Sequence, residues 1–123
     1  MSQNVRVEIP NGLVLVLDPD TGVLPEDLDK RLITLGPSSI AIVVMNPFDN
    51  DVSLSLGKAD ELPTDKGLEL RWRGMLETSG RLGIINVYYE VLLEMPVAGT
   101  VEISVWTERV LEPELIWVVV HER

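Results

Sequence analysis

Cysteine is absent from all 123 residues, which excludes a disulfide framework, a thiol nucleophile and any thiolate-bound zinc or iron–sulfur centre. Histidine occurs once, as His121, so any Ser–His–Asp device would have to use the third residue from the end. No serine sits in a Gly-x-Ser-x-Gly elbow, and Gly80-Arg81-Leu82-Gly83 lacks the spacing and the Gly-Lys-Ser/Thr ending of a phosphate cradle. Long apolar runs are missing too. Ile40–Met45 and Leu115–Val120 are the longest without interruption, far below the roughly 18 to 20 residues of a spanning helix. The start, MSQNVRVEIP, has neither a basic nor an apolar leader region, so no signal peptide is expected. A cytoplasmic location is the default expectation. Bases are the last shortage: ten against twenty acids leave a net charge of −10. Such a surface is repelled by phosphate, so neither nucleic acid nor an anionic membrane is expected as a partner.

What is present is apolar enough to fold. Apolar residues make up 46% of the chain, which separates it from disordered acidic sequences. Its length suits one domain spanning 1–123. Eight prolines and nine glycines cut it into short pieces that read as strands. Val5, Val7 and Ile9 alternate with polar residues. Pro10-Asn11-Gly12 then turns the chain into the continuous run Leu13–Leu17, giving either a hairpin or two strands of adjacent sheets joined at a corner. Ser38–Met45 follows Gly36-Pro37. Val52–Leu56, Leu68–Arg73 and Val101–Val105 alternate, while Ile84–Met95 and Leu115–Val120 are nearly or fully continuous. About eight strands with turn punctuation predict a mainly β fold, an antiparallel β-sandwich. One segment differs. Pro25-Glu26-Asp27, then Leu28, Leu32 and Ile33, carries helix-start signals and predicts one short helix over 25–33.

Chemistry without cysteine or a second histidine would have to rest on carboxylates. Glu90 and Glu94 interrupt the run Ile84–Met95 and are the candidates for a glycosidase-like pair, but alternation directs them outward. Of the six aromatic residues, four lie in runs that read as core strands, which leaves little for a sugar platform. His121 reads as a solvated strand-end histidine. Asp18-Pro19-Asp20-Thr21-Gly22 and Asp49-Asn50-Asp51 could offer oxygens to calcium, and a calcium-dependent binding module is the alternative reading they support. Both are also ordinary turn sequences. No metal ligand, catalytic residue or cofactor is assigned, and the protein is read as a non-enzyme.

The charge has a pattern. Ten acids and three bases lie between Asp18 and Asp65, so −7 of the net −10 falls in less than half the chain. The acids sit in predicted turns, the predicted helix and the loop 57–67, where exposure is expected. Such a surface favours a basic protein and speeds its association. Asp18, Asp20, Glu26, Asp27, Asp29, Asp49 and Asp51 are the candidate partner-binding carboxylates. A homodimer, or a dimeric structural β-domain without catalytic activity, would instead hide a sheet edge or face.

Two blocks carry a family likeness. The first is Leu24–Ile42, where the acidic stretch Pro25-Glu26-Asp27-Leu28-Asp29 precedes Gly36-Pro37-Ser38-Ser39 and the strand Ile40-Ala41-Ile42. The second is Glu94–Thr107, where Met95-Pro96 and Gly99 precede an alternating strand ending in Trp106-Thr107. With the final strand Leu115–Val120, this order resembles the competence protein J family, small acidic inhibitors that bind a nuclease of DNA uptake. The likeness spans about a third of the chain and does not extend over 46–80. It implies a β-sandwich with one helix, and an inhibitor or immunity protein for a nuclease or toxin with a basic groove.

Overall fold

The computed structural model describes residues 2–28 and 31–121. Ten strands form two open five-stranded sheets. The strands are β1 (Gln3–Val7), β2 (Leu13–Leu17), β3 (Ile33–Leu35), β4 (Ser39–Val43), β5 (Val52–Lys58), β6 (Glu69–Glu77), β7 (Arg81–Ile85), β8 (Val91–Pro96), β9 (Thr100–Thr107) and β10 (Leu115–His121). One sheet runs β1-β5-β10-β9-β6 and the other β3-β4-β2-β7-β8. Neighbours are antiparallel except β5 and β10, which pair in parallel. The fold is the expected mainly β sandwich.

Strand pattern follows from which faces are covered. In β5 and β9 the alternation is clean: Val52, Leu54 and Leu56, then Val101, Ile103 and Val105, point into the space between the sheets. Val14 and Val16, Ile40 and Ile42, and Leu82 and Ile84 meet them from the other sheet, with Ile116, Val118 and Val120 of β10 completing the core. The continuous run of β2 is buried on both faces. Its alternate residues Leu15 and Leu17 form a second cluster with Ala41 and Ile85, against which Leu13 and Leu24 pack.

The first two strands lie in different sheets, joined by a 3₁₀ turn at Pro10–Gly12, so the corner alternative is the one realised. At Gly12, φ is +60°, and an added Cβ would stand 2.9 Å from the Val44 carbonyl oxygen. Only glycine combines that conformation with so close a backbone approach.

Two expectations need correction. Among the described residues of 25–33 no helix forms: they are irregular up to Leu32, Ile33 opens the edge strand β3, and Asp29 and Lys30 lie outside the described residues. The segment is held at both ends. Val23 donates its N–H to Ser38 Oγ (2.7 Å) and accepts from Ser39 Oγ (2.6 Å), while Val43 N–H bonds Leu32 C=O (2.9 Å). A chain tied to β4 at both places is stretched along the sheet edge, and those tertiary bonds override a weak local helix preference.

The strand count rises from about eight to ten through β3 and through a break inside Ile84–Met95. Asn86 makes that break. Its buried side chain accepts from the N–H groups of Tyr88 (2.9 Å) and Glu90 (3.1 Å), and it donates to Glu90 Oε1 (3.0 Å). This closes a tight turn between β7 and β8 with Tyr89 at φ 62°.

Candidate protein-binding surface

The structure disperses the six described residues among the seven candidate carboxylates. Asp18 follows the last residue of β2, whereas Asp49 and Asp51 follow the other end of its neighbour β4. The register Leu13↔Val43, Leu17↔Ser39 places these two groups at opposite ends of the sandwich. Four residue steps along β2 alone separate the ends by roughly 13 Å. Glu26 and Asp27 are exposed in the β2–β3 connection, just after Pro25, whose backbone lies close to Gly36. Asp29 lies outside the described residues.

Asp18 is a correction to the expected exposed set, because it is fully buried. One carboxylate oxygen accepts from the N–H groups of Asp20 (2.7 Å) and Thr21 (3.3 Å). The other accepts from Ser79 N–H (2.5 Å) and Ser79 Oγ (2.6 Å). Burial by itself raises the proton affinity of a carboxyl. Here the bonds from Ser79 and Asp20 outweigh it and hold Asp18 far below the usual carboxylate range. Asp18 therefore ties the β2–β3 connection to the β6–β7 turn, and its lone pairs face donors rather than a cation or a partner. Nearby, Arg81 bridges Asp20 (3.3 Å) and Glu94 (2.8 Å), so the exposed acids at this end are partly neutralised.

The other end is built from four connections: the Pro10–Gly12 corner, residues 44–51, residues 86–90 and residues 108–114. The first, second and fourth interlock through Val44 N–H to Gly12 C=O (2.8 Å), Met45 N–H to Pro113 C=O (3.0 Å), and a short bond from Asn50 Nδ2 to Glu114 Oε1. Glu108 steadies the last connection by accepting from the N–H groups of Glu114 (3.1 Å) and Leu115 (3.2 Å). Among the described residues, the four most exposed large apolar side chains all stand here: Phe48 at 95%, Leu111 at 78%, Tyr88 at 68% and Tyr89 at 64%. Sequence reading missed this surface, since both tyrosines sit in a run that reads as core. The available signals were Phe48 among the turn formers Asn46-Pro47 and Asp49-Asn50, and Asn86 inside an apolar run.

The catalytic alternatives gain no geometry. Glu94 is exposed and ion-paired, and Glu90 is exposed in the β7–β8 turn, where Asn86 holds it. His121 Nε2 lies 2.8 Å from Ser104 Oγ, a nucleophile-to-base distance. Ser104 is nevertheless fully buried, and its oxygen already accepts from Trp106 Nε1–H (2.8 Å). Burial, then the Arg73 charge, lowers the His121 pKa, with Glu102 opposing. A neutral ring that accepts from Ser104 fits this environment: the serine hydroxyl is buried and engaged on both sides, while the His121 ring is half-buried. Among the described residues, no group of three or more His, Asp or Glu could hold a metal ion. No helix among them is long and apolar enough to cross a membrane.

These features define a class, a two-sheet β-sandwich with loops gathered at its ends. No protein-family model matches the sequence, and neither does any curated protein. Among solved structures, the fold is similar to that of ComJ from Bacillus subtilis, described as an inhibitor of the DNA degrading activity of NucA. The TM-score is 0.72 over 100% of this chain and 98% of that one, at 11% sequence identity. The likeness expected from the two sequence blocks thus holds at the level of the fold.

Proposed function

We propose that this protein is a non-enzymatic inhibitor, or immunity protein, that binds a nuclease or toxin with a basic active-site groove. The observation that carries the reading is the whole-chain fold likeness to ComJ, a nuclease inhibitor, with a TM-score of 0.72. The acid excess supports it independently, because a surface of net charge −10 attracts a phosphate-binding groove and excludes nucleic acid and anionic membrane. Glu26, Asp27, Asp49 and Asp51, with Asp29, are the carboxylates proposed to meet the partner, and Asp20, at the other end and paired with Arg81, is proposed to add only to the long-range attraction. Asp18 is withdrawn from that set by its burial. A cytoplasmic site of action belongs to the same proposal.

The test adds the purified protein to the DNA-degrading activity of extracts from its source cells. Stoichiometric suppression that weakens as salt rises is the expected result. A variant reversing Glu26, Asp27 and Asp29 to lysine should suppress less and show a shallower salt dependence, since peripheral charges act mainly on association rate. Absence of suppression at low salt would overturn the inhibitor reading.

A further inference from the structure

We infer that the end of the sandwich carrying the 44–51, 86–90 and 108–114 connections is the docking surface, with Phe48 and Leu111 as its apolar anchors. This rests on the basic-partner reading above and adds which end engages and what supplies the affinity. Apolar anchors surrounded by polar groups are the usual composition of a binding hot spot. Here Phe48 and Leu111, the two most exposed large apolar residues of the described chain, share one end with Tyr88 and Tyr89. Isolated exposed apolar residues need no explanation, but the most exposed ones concentrated on one end do.

Charge selects the occupant. Asp49, Asp51, Glu90 and Glu112 lie in these same connections, and among the described residues none of them is in an ion pair. Arg109, the base within the 108–114 connection, is turned onto the Glu112 carbonyl at 3.2 and 2.9 Å. At the opposite end Asp18 is buried and Asp20 shares Arg81 with Glu94. Asp60 and Glu77 are also exposed and outside any ion pair at that end, but the most exposed apolar side chains are not there. Unpaired acids and apolar anchors coincide at the 44–51, 86–90 and 108–114 end, which fits a basic protein surface with an apolar recess. Backbone strain coincides with them as well. Asn11, Tyr89 and Glu112, the described non-glycine residues with positive φ, all lie at this end.

The test places a photo-crosslinking amino acid at position 48, at position 111 or, at the opposite end, at position 23. Each full-length protein is then irradiated in source-cell extract at low salt. Positions 48 and 111 should capture a basic, DNA-degrading protein that position 23 does not. With that protein purified, Phe48→Ser and Leu111→Ser should each raise its Kd at least tenfold while leaving the salt slope unchanged. Capture of the nuclease from position 23 alone would overturn the choice of end and leave the inhibitor reading intact. A crosslink to a second copy of the chain would replace the docking surface with a self-association surface. Less than a twofold loss in both serine variants would refute the anchors, and no basic protein captured at any position would overturn both readings.

Discussion

Replacing Asp18 with alanine removes an acceptor on which four donors converge, three N–H groups and the Ser79 hydroxyl, at 2.5 to 3.3 Å. Hydrogen bonds to a charged group contribute about 1.5 to 3 kcal/mol each when measured singly. The sum overstates the loss, because Asp20, Thr21 and Ser79 are exposed residues whose donors can turn to water. Removing the carboxylate also relieves its own desolvation. A net destabilisation of about 3 kcal/mol follows for Asp18→Ala. Asp18→Asn keeps the volume and one accepting oxygen but points an NH₂ at a donor, for about 2 kcal/mol. With a urea slope of about 1.5 kcal/mol per molar, the alanine variant's midpoint falls by about 2 M.

The pH dependence gives a second handle. The native carboxyl is held far below its ordinary value of 3.8, so on acidification the unfolded chain takes up a proton that the native state refuses. Its stabilisation is complete well above that value, is lost as pH falls through it, and continues to decline until the native group protonates. Urea midpoints at pH 7, 5, 4 and 3 should show the gap between parent and Asp18→Asn narrowing toward acid. An alanine variant within 1 kcal/mol of the parent at pH 7 would refute the assigned role. A gap that stays constant down to pH 3 would do the same.

Two further outcomes follow from single residues. The His121 pKa is lowered by burial and the Arg73 charge, so its contribution is lost as pH falls below the ordinary value of 6.5 and levels off once the native ring protonates. His121→Gln should flatten thermal stability between about pH 7 and 5, and an unchanged profile would mean another group titrates there. Gly12→Ala meets both the positive φ and the Val44 carbonyl and should cost about 2 kcal/mol or more. A melting temperature equal to the parent's would show that the corner can relax.

Strand positions were legible wherever alternation or a turn sequence marked them. Leu13–Leu17 and the final strand from Leu115 were read at or near their observed bounds because six or fewer apolar residues between turn formers leave few options. The helix signals at Pro25-Glu26-Asp27 misled, since local propensity is worth only tenths of a kcal/mol per residue against fixed bonds to Ser38, Ser39 and Val43. The β7–β8 turn escaped notice because Val87, Tyr88 and Tyr89 are strand-type residues. They turn only because the Asn86 side chain replaces the ladder bonds.

The candidate surface shows the same division. By itself the sequence determined the class of fold, through its turn-punctuated apolar pattern, and the sign of the protein's own charge, through twenty acids against ten bases. Only the tertiary structure decided which acids are available. Asp18 and Asp20 are alike in a sequence, yet one is drawn inward by Ser79, 61 residues away, and the other stays exposed beside Arg81. Exposure of Phe48, Leu111 and the two tyrosines on one end was settled the same way. It depends on strand register and on where the sheets meet, relations between distant residues that no local pattern records.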